Sequence, residues 1–161
     1  MTKQPGESDK ERWDRELIEL LNELRVALPG VQVLFAFLLA VPLSPTFKDV
    51  NGFERAIFFA TLASTAVATA LLISPSAIHR IDFRNKDKGS MILLFNKLAI
   101  YGLFFTALSM VGALTFIADL LYGKYATIFT ASISLVMFAL LWFLLPIRRR
   151  AKHENDERFP L

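Results

Sequence analysis

Four stretches of this chain carry no charged side chain, and each is long enough to cross a lipid bilayer as a helix. A transmembrane helix needs about 20 apolar residues to span a hydrocarbon core of roughly 30 Å. A water-soluble bundle would instead show polar stripes at helical spacing along each segment. The sequence therefore predicts an all-α integral membrane protein built as a four-helix bundle. With His79 taken as neutral, the uncharged stretches cover residues 26–47, 56–79, 98–118 and 125–147.

Proline residues mark the predicted ends of these spans. Because proline removes a backbone hydrogen-bond donor and clashes with the preceding helical turn, it is tolerated best at a helix end. Pro29 precedes the first span and Pro42 follows it, while Pro75 and Pro146 follow the second and the fourth. The predicted membrane domain covers 29–147, with spans at 30–43, 56–75, 94–117 and 126–146.

The segment before the first span predicts an amphipathic interfacial helix over 8–28, preceded by a disordered N-terminus over 1–7. Ser8 and Glu11 have the spacing of a capping box, which satisfies the first unpaired amides of a helix. Six apolar residues then share one helical face. Such a helix lies on the membrane or packs against the ends of the spans, and its mixed charge favours packing on the protein. The apolar face consists of Trp13, Leu17, Leu20, Leu21, Leu24 and Leu28.

Lysine and arginine are unevenly divided between the two sides of the predicted membrane domain. Fifteen lie in the N-terminal arm, in the central loop with the start of the third span, and in the tail, whereas only Lys48, Arg55 and Lys124 lie on the other side. Cytoplasmic segments carry the excess of basic residues. We therefore expect a multi-pass protein of the plasma membrane with both termini in the cytoplasm, including a basic and then acidic tail over 148–161.

The basic and the small residues predict the partners of the chain. The basic run 148–152 directly follows a span, so we interpret it as a topology signal and a contact for anionic lipid headgroups, not as a nucleic-acid site. Rows of small residues let helices approach closely, either inside one bundle or in a homo-oligomer or with another membrane protein. These rows are Ala60, Ser64 and Ala68 in the second span, and Gly102, Thr106, Ser109 and Ala113 in the third.

A few polar side chains within or beside the spans are candidates for an intramembrane site. Thr61, Thr65 and Thr69 form a hydroxyl row in the second span, Gln32 lies about a turn into the first, and Asp119 leaves the third on the outer side. The functional interpretation is a polar path for a cation. The structural interpretation is internal packing of the four-helix bundle for the hydroxyls, interhelical hydrogen bonding for Gln32, and a solvated loop acid at Asp119.

No catalytic constellation is recognisable in the sequence. The chain has no cysteine, and His79 and His153 lie in separate segments without metal-ligand spacing. It also has no glycine-rich phosphate loop and no nucleophile elbow. We therefore predict that the protein is not an enzyme and holds neither a cofactor nor a metal.

Several short runs of the sequence resemble one known family. The longest runs from Glu19 to Leu39, and the later ones are 60–62, 77–80 and 96–99. In this order they resemble an uncharacterised family of small four-span bacterial membrane proteins, a domain of unknown function, some of whose members are labelled sodium:proton antiporter. The resemblance implies a site at the cytoplasmic membrane face. The candidate cytoplasmic-face cluster comprises Glu19, Asn22, Glu23, Arg25, His79, Arg80, Asn96 and Lys97.

Two functions remain open at this point. The first is a non-enzymatic membrane component that acts through its cytoplasmic face on partners or lipids. The alternative is a small oligomeric cation or sodium:proton transporter or channel. Such exchange usually needs a titratable carboxylate near the bilayer midplane, and no span carries one there. Four spans also leave little room for inverted repeats, so a transporter would have to be at least a dimer.

Overall fold

The computed structural model describes residues 6–81 and 88–149, which form four long helices. Two short 3-10 turns connect the first helix to the second, and a π-helical turn interrupts the fourth. The predicted all-α four-helix architecture is confirmed. The helices are α1 (Asp9–Ala40), α2 (Gly52–Ile81), α3 (Lys88–Tyr122) and α4 (Lys124–Phe138, continued by the π-helical turn Ala139–Leu144 and by residues 145–149).

All four helices are long and apolar enough to cross a membrane. Their outer surfaces carry many large apolar side chains, for example Phe129 and Leu141, which are 68% and 56% exposed. An apolar surface of this extent is covered by lipid in a membrane protein, because no water-soluble monomer exposes it. The chain is therefore a multi-pass membrane protein, as the uncharged stretches predicted.

Three prolines lie inside helices, so the prediction that they stand at helix ends was wrong. Pro29 lies within α1, Pro75 within α2, and Pro146 within the helical residues that follow the π-helical turn. A proline costs one backbone hydrogen bond, but neighbouring helices can hold a membrane helix together around it. Pro42 and Pro45 do stand at the beginning of the two 3-10 turns, at the second and the first position respectively, where their missing donors cost little.

The amphipathic segment and the first span consequently form one continuous helix of 32 residues. The predicted boundary between 8–28 and 30–43 is therefore not a helix boundary. Pro29 and Gly30 are both exposed, and a Cβ on Gly30 would meet no described atom within 4 Å, while Val31 on another face is buried. The helix can therefore pass through this dipeptide without losing its contacts to the bundle. Of the N-terminus predicted to be disordered over 1–7, residues 1–5 lie outside the described residues, whereas Glu7 is described and pairs with Arg15. The tail from Arg150 onward also lies outside the described residues.

The start of α1 confirms the predicted capping box. The Glu11 N–H donates to Ser8 Oγ at 3.3 Å, and the Ser8 N–H donates to Glu11 Oε2 at 2.9 Å. The side-chain hydrogen bond from Ser8 lowers the pKa of Glu11, because it favours the charged carboxylate. Arg15 continues the polar face by pairing with Glu7 at 3.0 Å. These contacts begin the helix at the predicted residue.

The apolar face of the N-terminal half of α1 packs on α2 and α3. Leu17 is buried in a cluster with Ile92 and Phe95 of α3, and Leu24 is buried in a second cluster with Leu72 of α2. Of the two arrangements considered from the sequence, packing on the protein is the one observed. The contacts are made to helices, and they extend the bundle beyond the apolar part of α1.

Helices α2 and α3 make the closest contact in the bundle. A Cβ placed on Gly102 would come within 2.6 Å of Leu72, and one placed on Gly112 would overlap the hydroxyl of Thr61. Small residues at these two positions therefore let the backbones approach, as is usual where lipid provides no hydrophobic drive. Helix α4 packs along α3, and Phe143 stacks edge-on against Phe104 with ring centroids 6.2 Å apart.

Candidate functional site

Two grooves flank the N-terminal half of α1, one on the side of α3 and one on the side of α2. The α1–α3 groove encloses about 560 Å³ and has both polar and apolar walls. Because α1 crosses the seam between α2 and α3, each side of it forms one groove. The α1–α3 groove is lined by Arg12, Trp13, Glu16, Leu20, Glu23, Ile92, Leu93 and Asn96.

One end of the α1–α3 groove is closed by a compact set of paired side chains. Arg12 Nε donates to Glu16 Oε1 at 2.9 Å, and the Arg12 guanidinium lies 5.2 Å from the centre of the Trp13 ring. Trp13 in turn lies against Gly89 of α3, where a Cβ would meet its ring at 3.5 Å. This end of the groove is therefore held in place by contacts within the protein, and its charges neutralise each other.

The other end of the α1–α3 groove presents polar groups without such partners. Glu23 and Asn96 are both exposed, and neither makes a hydrogen bond or an ion pair with the described residues. Between them lies an apolar floor of Leu20 and Ile92, and the 63% exposed side chain of Leu93 stands at the rim. A carboxylate and an amide beside an apolar strip can bind a ligand that has an apolar face and a hydrogen-bond donor.

The α1–α2 groove is basic. It encloses about 580 Å³ and is lined by Leu21 of α1 and by Ser76, His79 and Arg80 of α2. Arg80 is exposed and has no ion-pair partner among the described residues. The groove therefore offers hydrogen-bond donors and positive charge beside one apolar side chain.

The structure divides the cytoplasmic-face cluster predicted from the resemblance. Glu23 and Asn96 lie in the α1–α3 groove, whereas His79 and Arg80 lie in the α1–α2 groove. Glu19 pairs with Arg15 on the surface of α1 at 3.4 Å. The cluster is therefore not one site, because its members lie on both sides of α1. The remaining members, Asn22, Arg25 and Lys97, are exposed and line neither groove.

The hydroxyl row of α2 is engaged in the helix itself. The hydroxyls of Thr61, Thr65 and Thr69 donate to the carbonyls of the residues four positions earlier, each at 2.8 Å. Thr61 and Thr65 are buried in the bundle, and Thr61 faces Gly112 of α3. Hydroxyls that donate to carbonyls of their own helix, at a tight helix–helix contact, support the structural interpretation, because these donors are already hydrogen-bonded.

The other two intramembrane candidates are separate from the hydroxyl row and from each other. Gln32 is exposed on the surface of α1. Asp119 lies near the end of α3, where its Oδ1 accepts from the Thr127 hydroxyl of α4 at 2.7 Å. Gly123, with a φ of 76°, makes the turn between the two helices. Asp119 therefore ties α3 to α4 across a tight turn.

The small-residue rows are only partly at helix contacts. Thr106 and Ser109 of α3 are buried, as predicted for the row that begins at Gly102. In α2, Ala68 of the predicted row is buried, but toward the start of the helix the buried positions are Thr61 and Thr65. Ala60 is exposed and Ser64 is partly exposed, because α3 faces the threonine side of α2.

Sequence reasoning missed a buried carboxylate at the opposite end of the bundle. Glu54 is 8% exposed, and its Oε2 accepts from the Asn51 N–H at 2.6 Å. Asn51 Oδ1 in turn accepts from the N–H groups of Phe53 and Glu54, at 2.9 and 3.0 Å. The signal was present as Asn51 followed three residues later by Glu54, which is the spacing of a capping box. The Glu54 carboxylate is therefore hydrogen-bonded within the protein, at the start of α2.

The described part of the chain contains no metal-binding cluster, and one family model matches its sequence. Within residues 6–81 and 88–149, no group of three or more His, Cys, Asp or Glu side chains could hold a metal ion. A search of curated proteins and a search of solved structures found no match to the chain. The model of one family, described as a family of unknown function (DUF6328), matches residues 6–146. This match confirms the resemblance found in the sequence, and the chain belongs to the DUF6328 family of unknown function.

Proposed function

We propose that this protein is a non-enzymatic component of the plasma membrane that acts through its cytoplasmic face, by binding a protein partner in the α1–α3 groove. The observation that carries the proposal is the continuity of α1. One helix runs from the first span into the amphipathic segment, and its apolar face is docked on α2 and α3. The groove beside it is therefore fixed relative to the spans, and its Glu23 and Asn96 have no partner among the described residues.

The orientation of the helices follows from the distribution of basic residues. Arg12, Arg15 and Arg80 lie at the grooved end of the bundle, and the basic residues of the central loop and the tail are connected to the same end. Lys48 and Lys124 lie at the opposite end. The positive-inside rule therefore supports a cytoplasmic location for the grooves and for both termini.

We expect single cysteines to report this orientation, because the chain has none of its own. Lys10→Cys at the start of α1 and Thr46→Cys between α1 and α2 both place the thiol at an exposed position. A membrane-impermeant maleimide added to intact cells should label Thr46→Cys, and it should label Lys10→Cys only after the membrane is permeabilised. Labelling of Lys10→Cys in intact cells would contradict the proposed topology.

The chemistry of the groove indicates what kind of partner it binds. The apolar floor of Leu20 and Ile92 fits the apolar face of a helix or strand. The carboxylate of Glu23, which pairs with none of the described residues, fits a lysine or arginine on that segment. Arg12 and Glu16 neutralise each other at the far end, so the net charge of the groove comes from Glu23. We therefore propose a partner segment that is amphipathic and basic.

Reversing the charge at position 23 is expected to weaken binding of the partner in the groove. A photo-crosslinking residue at position 93, where Leu93 stands at the groove rim, should capture the partner in native membranes. Glu23→Lys should reduce this crosslink about tenfold or more, because a matched ion pair becomes a repulsive one. Asn22→Lys introduces the same side chain at an exposed neighbour outside the groove and should retain the crosslink. Equal crosslinking in Glu23→Lys and Asn22→Lys would refute the proposal, provided that both variants insert normally.

The transporter alternative has less support in the arrangement of the polar groups. Thr61 and Thr65 are buried and bonded to their own helix, so their hydroxyls are occupied. The carboxylates of Glu54 and Asp119 lie at the ends of helices and are hydrogen-bonded there. A cation path through the bundle would need polar groups that both sides of the membrane can reach.

A further inference from the structure

We infer that the α1–α2 groove binds the phosphate group of an anionic phospholipid. The groove is separate from the α1–α3 groove proposed for a protein partner, since α1 lies between them. Its polar lining consists of Ser76, His79 and Arg80, and no acidic side chain of the described residues lines it. A phosphate diester is acceptor-only and negatively charged, so a lining of donors and a guanidinium is complementary to it.

Arg25 adds a second guanidinium at the edge of this groove. It follows Leu21 by one helical turn and therefore lies on the same face of α1. A long side chain on a helix extends over the turn that precedes its own Cα, which places the Arg25 head toward Leu21. Arg25 and Arg80 are both exposed and have no ion-pair partner among the described residues. Two arginines from the two helices that flank the groove thus lie near it, Arg80 within its lining and Arg25 just outside it.

The surroundings of the groove favour a lipid over a soluble phosphate. Ser76 directly follows the predicted span 56–75, and Ile73, which lies within that span, is 39% exposed. Leu21 forms an apolar wall directly beside the donors. Polar groups at the membrane surface that continue into exposed apolar surface match a phospholipid, whose charged head continues into acyl chains.

The position of the donors at the end of α2 decides how the phosphate is held. His79 and Arg80 lie in the last turn of α2, where the unpaired carbonyl groups carry partial negative charge. The α2 backbone therefore repels an anion at this end, and the described residues of this end can bind it only through their side chains. Removing the two guanidinium groups is expected to abolish the site.

The test is the retention of a single phosphatidylglycerol by the purified full-length protein, measured by native mass spectrometry against phosphatidylcholine. The double variant Arg25→Gln/Arg80→Gln should bind phosphatidylglycerol at least tenfold more weakly, because charge-assisted hydrogen bonds are lost. Lys97→Gln removes an exposed cation of α3 that lines neither groove, and it should retain the bound lipid. Equal losses in Arg80→Gln and Lys97→Gln would show a diffuse effect of surface charge and would overturn the inference.

Two further measurements distinguish a phospholipid from inorganic phosphate, and the loss of the binding site from a loss of folding. Inorganic phosphate in large excess should leave the lipid bound, and its displacement of the lipid would overturn the assignment to a phospholipid. Because Arg25 and Arg80 are exposed, the double variant should unfold at the same temperature as the parent protein. The variant Arg25→Lys/Arg80→Lys keeps both charges and should recover most of the binding. Loss of the Leu93 crosslink does not affect this result, so the two proposals fail independently.

Discussion

Replacing Phe95 by alanine is expected to lower the free energy of unfolding by about 3–5 kcal/mol, the usual cost of removing a large buried aromatic side chain. Phe95 of α3 has no exposed surface and packs with Leu17 of α1 and Ile92 in one cluster. The substitution leaves a cavity under the N-terminal half of α1. We therefore expect this half of the helix to separate from the bundle while the four spans remain in the membrane.

The separation can be measured with a reporter cysteine, because the chain has no other thiol. Leu17→Cys places the thiol in the buried cluster, so a water-soluble maleimide should react with it slowly. Reaction should become faster in the Phe95→Ala background, and thermal unfolding in detergent should occur at a lower temperature. Leu94→Ala is the matched control, because Leu94 is the next residue on α3 and is 45% exposed. Identical reactivity of the reporter in the Phe95→Ala and Leu94→Ala backgrounds would show that α1 is not docked as described.

Adding one methyl group at Gly112 is expected to destabilise the bundle by about 1–3 kcal/mol, the usual cost of overpacking. In Gly112→Ala the new Cβ would overlap the hydroxyl of Thr61, and it would also lie 3.2 Å from Thr61 Cβ. Thr61 cannot move aside freely, because it is β-branched and its hydroxyl is bonded to the Ile57 carbonyl at 2.8 Å. The helices α2 and α3 must therefore separate at their closest contact.

A matched glycine and a rescue variant make this prediction specific. Gly30 also lies within a helix, but a Cβ there would meet no atom within 4 Å. Gly30→Ala should consequently be neutral or stabilising by up to about 1 kcal/mol, since alanine loses less backbone entropy than glycine. Thr61→Ala removes the obstructing hydroxyl, and in that background Gly112→Ala should cost much less. A loss of stability that is unchanged by Thr61→Ala in this double-mutant cycle would contradict the proposed contact.

The errors of the sequence-based prediction share one physical origin. Pro29 and Pro75 were placed at helix ends because a local rule assigns proline a cost inside a helix. Pro75 is instead fully buried among neighbouring helices, and the contacts of α1 on either side of Pro29 continue through it. The stabilisation from packing, summed over many residues, exceeds the free-energy cost of one missing hydrogen bond. The same limit applies to the small-residue row of α2, since its sequence spacing does not specify which face meets α3.

The sequence by itself determined the four spans, the all-α class and the capping box at Ser8 and Glu11. These features depend on sums over a helix length or on residues three positions apart, so they can be read along the chain. Only the tertiary structure decided that α1 is continuous and docked, and that Glu23 and Arg80 lie in different grooves. Those features depend on which faces of distant helices meet, and that choice is made by the packing of Leu17, Phe95 and Leu72 in three dimensions.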